Sequence, residues 1–124
     1  MPTVLIIDDE APVRKTLRMI LEKSGFKVRE ASNGRLGVES FQGNAADLVI
    51  TDIIMPEQEG IETIMAIRTI NADTPIIAMS GGGRVGNMNF LEMAQDMGAN
   101  AVLPKPIKPA NLLGAIRQSL GLPQ

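Results

Sequence analysis

The 124-residue sequence has no cysteine, histidine, tryptophan or tyrosine, and phenylalanine occurs three times. Without histidine or cysteine there is no imidazole base, no thiolate nucleophile and no ordinary zinc ligand set. The missing cysteines also remove the disulfide frame of a small secreted domain. Any chemistry therefore runs on carboxylates, hydroxyls, lysine or arginine. An excess of positive charge is lacking too: 12 Lys and Arg face 14 Asp and Glu, net −2. A surface dedicated to phosphate backbones needs concentrated basic charge, so direct nucleic-acid binding is not expected. No apolar run approaches membrane-spanning length, and the N-terminus has no basic segment followed by an apolar stretch. Membrane insertion is not expected, and the expected location is cytoplasmic.

What is present describes a soluble globular chain, with 44% apolar and 21% charged residues. It is long enough to bury a core without staples, and residues 1–124 are expected to form one domain. Short apolar runs at Val4–Ile7, Phe26–Ala31, Leu48–Thr51, Ile76–Met79 and Ala101–Leu103 alternate with stretches of helical period. Val13, Leu17, Ile20 and Leu21 make one helical face. Ile61, Ile64 and Met65 make another, followed by Leu91, Ala94 and Met97, then Leu112, Leu113, Ile116 and Leu120. Gly34–Gln42 carries the weakest helical pattern. Pro12 and Pro109 suit first-turn positions, and Gly25 and Gly98 suit helix C-termini.

Strands buried on both faces read as continuous apolar runs, which the first, third and fourth do. The second alternates with charge and the fifth is short, so these are the expected edges. An α/β, doubly wound, five-stranded parallel sheet of order 2-1-3-4-5, with helices on both faces, follows. In such a sheet ligands bind beyond the carboxyl ends of the central strands.

Those ends carry Asp8 and Asp9 after the first strand, Asp52 after the third, Ser80 after the fourth and Lys105-Pro106 after the fifth. Singly, each suits an ordinary cap or turn. Together, three converging carboxylates repel unless a cation sits between them. A hard, oxygen-ligated ion such as Mg²⁺, or alternatively Mn²⁺, fits that donor set. With Lys105 as a second positive charge, the group suits phosphoryl transfer, and an aspartate is the natural acceptor where histidine and cysteine are missing.

Asp8-Asp9, Asp52-Ile53-Ile54-Met55-Pro56, Ser80 and Lys105-Pro106, each at its strand end, resemble the pattern of receiver domains of two-component response regulators. The resemblance spans nearly the whole chain and implies a (βα)5 flavodoxin-like fold. It also implies that Asp52 is the phosphoacceptor and that Asp8, Asp9, Asp52 and the Ile54 carbonyl hold Mg²⁺, Asp8 partly through water. Lys105 would pair with the phosphoryl group and Ser80 would hydrogen-bond one of its oxygens. The Lys105-Pro106 peptide is expected in cis. The donor would be a sensor histidine kinase or a histidine phosphotransfer protein, the output an unspecified downstream target, and the chain a monomer or weak dimer. Receivers also slowly dephosphorylate themselves, which makes them signalling modules rather than dedicated enzymes. Only Gly121–Gln124 follow the last expected helix, so no output domain is expected in this chain, which fits a stand-alone regulator or a piece of a longer one.

Two features depart from the family pattern. Val102 stands three residues before the lysine, where receivers usually carry an aromatic switch residue, and valine is small and stiff about χ1. Ser80-Gly81-Gly82-Gly83-Arg84-Val85-Gly86-Asn87 is longer than usual, and phosphorylation is expected to order it and move the helix around Phe90–Met97. Apolar residues from Met88 to Met97 exceed what one buried face needs, reading as core filler or a partner surface. Arg14, Lys15 and Arg18 read as a solvated face or a docking edge. Two rival functions share the acids: a small Mg²⁺-dependent aspartyl phosphohydrolase, disfavoured because Ile54 leaves no D-x-D pair, and a pseudo-receiver that only binds partners.

Overall fold

The computed structural model describes residues 2–53, 59–80, 95–96 and 98–123. In order the elements are β1 (Thr3–Ile7), α1 (Ala11–Lys23), β2 (Lys27–Ala31), α2 (Gly34–Gly43), β3 (Leu48–Asp52), α3 (Glu59–Ile70), β4 (Ile76–Ser80), β5 (Ala101–Pro104) and a C-terminal helix, α4 (Pro109–Leu120). The strands are all parallel and ordered β2-β1-β3-β4-β5, so the expected doubly wound sheet is found with β2 and β5 at its edges. Among the described residues no helix is long and apolar enough to cross a membrane.

Alternation along the strands divides the interior into two layers. Val4, Ile6, Leu48, Ile50, Ile77 and Met79 face one way and pack against Leu17 and Leu21 of α1 and Leu112 and Ile116 of α4. Leu5, Ile7, Val49, Ile76 and Ala78 face the other and pack against Phe41 of α2 and Ile64 and Ile67 of α3. The side chains at positions 4–7 are all fully buried, which is why β1 reads as an unbroken apolar run.

Local signals explain the boundaries. Pro12 lies in the first turn of α1, and Gly25 (φ 94°) ends that helix in a Schellman turn, with Phe26 N donating to Leu21 O at 3.0 Å. Gly34–Gln42, the weakest helical pattern, does form α2, because Asn33 Oδ1 caps it by accepting from Leu36 N at 2.8 Å. Lys105-Pro106 is cis, as expected. The α3 face differs from the expected Ile61, Ile64 and Met65: Met65 is 49% exposed, while Ile64, Ile67 and Thr63 are buried. The helix turns Ile64 and Ile67 into the core, and position 65, about 100° further round, leaves it. Gln95 and Asp96 are helical and Gly98 (φ 116°) follows them. The expectations placed on Ile54, on the glycine loop and on the apolar positions from Met88 to Met97 fall outside the described residues.

Arg68 ties three segments together, donating to the carbonyls of Thr74 at 2.5 Å and Gly98 at 2.7 Å and to Asn100 Oδ1 at 2.9 Å. Burial pulls its pKa down, partly offset by Asp73.

A tighter constraint lies between α2 and β1. A Cβ on Gly37 would overlap Ile7 Cδ1 and stand 2.7 Å from Ile7 Cγ1, whereas one on Gly43 would meet nothing within 4 Å. Ile7 is fully buried, so any shift of its side chain has to displace packed neighbours. Gly37→Ala is therefore expected to cost about 1–3 kcal/mol by urea unfolding, while Gly43→Ala is neutral or stabilising by up to about 1 kcal/mol.

Candidate functional site

The register of the central strands assembles the site. β1 and β3 pair with Ile7 beside Thr51, so the next residues, Asp8 and Asp52, stand side by side where the strands end. Both have the parity of Ile6 and Ile50, so they continue the face that packs on α1 and α4. Lys105 has the parity of Leu103 and reaches the same face from the end of β5. Its Nζ lies 2.9 Å from Asp8 Oδ2 and 3.1 Å from Asp52 Oδ2.

Asp8 is completely buried and bonded at four points. Its amide donates to Ala31 O at 3.2 Å, its Oδ1 accepts from Glu10 N at 2.8 Å, its Oδ2 accepts from Lys105, and its carbonyl accepts from an Arg14 terminal nitrogen at 2.7 Å. Arg14 Nε in turn donates to Glu30 Oε1 at 3.0 Å. Arg18 completes the group, bonding Glu30 Oε2 at 2.5 Å and Glu22 Oε2 at 2.7 Å. The hydrogen bond from Arg18 is the largest influence holding the Glu30 carboxyl below its usual 4.5, helped by Arg14.

Asp9 is exposed, and its carboxylate completes the acid group: one oxygen each from Asp8, Asp9 and Asp52 lie within 4.8 Å of one another. Glu10 is the N-cap of α1, and its carboxylate also comes within 3.7 Å of Lys105 Nζ. Ser80 ends β4 beside Pro104, and its carbonyl accepts from Lys105 N at 2.8 Å. Val102 pairs with Ala78 and packs into the layer under α2 and α3, opposite the acids.

The three carboxylates repel one another, most strongly between buried Asp8 and Asp52, where water screens least. One ammonium cannot balance three acids. Burial alone would lower the Lys105 pKa, but hydrogen bonds and charge from Asp8 and Asp52 outweigh it and hold it above its usual 10.5. The donor set is all oxygen and already converges on one positive charge, which fits a small divalent cation.

The family model described as the response regulator receiver domain matches residues 4–117. This chain belongs to the receiver domain family. The receiver is 37% identical over 118 residues to the chemotaxis protein CheY of Bacillus subtilis (strain 168), covering 94% of this chain and 96% of CheY. It is 31% identical over 122 residues to the DNA-binding transcriptional regulator NtrC of Rhizobium meliloti (strain 1021), covering 98% of this chain and 25% of NtrC. A crystal structure of a response regulator receiver domain protein from Clostridium thermocellum superposes with a TM-score of 0.89 at 29% identity, covering 98% of this chain and 95% of that one. The receiver is thus a signalling module of two-component systems, spanning nearly all of one curated relative and about a quarter of another.

Of the residues singled out in the sequence, Asp8, Asp9, Asp52 and Lys105 meet at one point, and Ser80 ends the neighbouring strand. The Arg14–Asp8 contact was not anticipated, since Arg14 and Arg18 read as surface charge. The alternation at the end of β2 that places Glu30 was the available signal.

Two predictions follow from these contacts. Lys105→Met leaves Asp8 and Asp52 without their ammonium and is expected to cost about 3 kcal/mol in metal-free urea unfolding at pH 7, against less than about 0.5 kcal/mol for exposed Lys15→Met. For Glu30 the folded pKa lies below the unfolded one, so its contribution is complete above pH 4.5 and fades as pH falls through the folded value. The stability gap between wild type and Glu30→Gln should accordingly be constant near pH 7 and close progressively below pH 4.5.

Proposed function

We propose that residues 1–124 act as one receiver domain in which Asp52 accepts a phosphoryl group from a phosphohistidine on a sensor histidine kinase or a histidine phosphotransfer protein. The observation that supports this most directly is the Asp52 carboxylate, 3% exposed as a residue, held 3.1 Å from Lys105 Nζ in a cluster with Asp8 and Asp9. A carboxylate there is positioned rather than free to rotate, and positioning is most of what phosphoryl transfer asks of a protein.

Asp8, Asp9, Asp52 and the Ile54 carbonyl would hold Mg²⁺, or Mn²⁺ in its place. A bound divalent ion supplies charge neutralisation for the oxygens of the transferred group. An Asp52 oxygen attacks phosphorus, a P–O bond forms, the P–N bond to the donor imidazole breaks, and that nitrogen leaves with the electron pair. Lys105 shifts from its carboxylate partners toward the arriving phosphoryl oxygens, conserving its ion pairing. The Ser80 hydroxyl donates to another of those oxygens. Attack by water on the acyl phosphate returns Asp52 and inorganic phosphate, which is the slow self-dephosphorylation expected of a receiver.

Incubation with Mg²⁺ and a small phosphodonor, followed by intact-mass measurement, should show one base-labile phosphate per chain that is absent from Asp52→Ala. Omitting the divalent ion should abolish the adduct. Rapid multiple turnover of a phosphoester would favour the phosphohydrolase instead, and an unmodified wild-type mass would favour the pseudo-receiver.

A further inference from the structure

We infer that Arg14 is a positioning residue for the acid pair: its guanidinium, oriented by Glu30 on β2, fixes the Asp8–Asp9 peptide and keeps the Asp9 carboxylate within reach of Asp8 and Asp52. This rests on the reading above that the acids receive a divalent cation.

The turn from β1 into α1 has little apolar anchorage. Asp9 and Glu10 are exposed, and Glu10, the N-cap, makes no side-chain cap bond. Four polar contacts to Asp8 hold the turn instead. Two of them, to Glu10 N and Lys105 Nζ, use the Asp8 carboxylate oxygens, the atoms that a cation would claim. The other two use the Asp8 backbone. The amide is tied to Ala31 O and the carbonyl to Arg14, so both reach the end of β2, one directly and one through Glu30. Among the described residues, the Arg14 bond is therefore the side-chain hydrogen bond to Asp8 that does not compete with cation binding. It grips the carbonyl that joins the two acids.

Charge points the same way. Arg14 and Arg18 are balanced by Glu22 and Glu30, so the group is neutral in sum, and Arg14 acts as a directed donor rather than as a rival cation. Arg18 shares Glu30 with Arg14 but has no hydrogen bond to Asp8, which provides a matched control.

The test compares Arg14→Met, Arg14→Lys and Arg18→Met in the full chain. Two quantities are read: Mg²⁺ affinity by calorimetric titration, and hydrogen exchange at the Asp9 and Glu10 amides without metal. Arg14→Met should weaken Mg²⁺ binding about tenfold and speed exchange at those amides by a similar factor, Arg18→Met should change neither by more than about twofold, and Arg14→Lys should fall between. Should Arg14→Met fail to fold, Arg14→Lys against Arg18→Lys carries the same comparison. Equal effects of the Arg14 and Arg18 substitutions, or unaltered exchange in the Arg14 variant, would overturn the assignment. A wild type that binds no Mg²⁺ would defeat the cation reading alone, since exchange in the metal-free protein still decides the role of Arg14.

Discussion

The ammonium of Lys105 between two buried carboxylates is the contact on which the architecture of this receiver depends. A charge removed from water is tolerated only when paired and hydrogen-bonded. Asp8 is wholly buried and Asp52 nearly so, yet each finds Lys105 Nζ within 3.1 Å. The three residues are 44 and 53 positions apart along the chain and stand at the ends of three different strands, Asp52 as the last residue of β3 and Asp8 and Lys105 just after β1 and β5. Bringing them together requires β1, β3, β4 and β5 to be parallel and in register to the residue, because a slip of one would turn an acid into the opposite layer. The apolar runs supply that registration: every side chain from Val4 to Ile7 and from Leu48 to Ile50 is buried, with about 1.5–3 kcal/mol at stake for each large one.

This explains how much of the molecule was legible. Strand periodicity, the edge character of β2 and β5 and the acids at strand ends are carried by residue type and spacing, and the structure reproduces them. Contacts that need two elements to be neighbours were less accessible. Arg14 and Arg18 have the spacing of any solvated helical face, and Glu30 that of any charged edge strand. Their pairing follows only once order 2-1-3 sets α1 beside β2. Gly37 reads as a weak helical residue until its approach to Ile7 is known. Ile61, Ile64 and Met65 fit one helical face by spacing, but the packing of Ile64 and Ile67 sets the rotation of α3 and leaves Met65 exposed.

Receivers usually place an aromatic where this chain has Val102. Here that residue is on the face of β5 directed at Ala78 and the layer under α2 and α3, away from Lys105. A β-branched side chain has few accessible χ1 states and little surface to relocate. Among the described residues, the ends of β4 and β5 are linked through main chain: the pairing of Ser80 with Pro104 and the bond from Lys105 N to Ser80 O at 2.8 Å. Both residues expected to meet a phosphoryl group are thus joined through backbone.

The site from Asp8 to Lys105 lies wholly inside the 4–117 family match, and the same span accounts for nearly all of CheY but a quarter of NtrC. A module found in both settings has to hold its strand-end residues in place with its own side chains and backbone. The structure has that property: Asp8 is held by Ala31, Glu10, Arg14 and Lys105, Asp52 by Lys105, and the Lys105 amide by Ser80 O, all from the same fold. Exposed helix and loop surface is where substitutions are cheap. The strand ends have no such freedom, because moving any one of them by a residue separates the Asp8 and Asp52 carboxylates from the Lys105 ammonium that pairs with both.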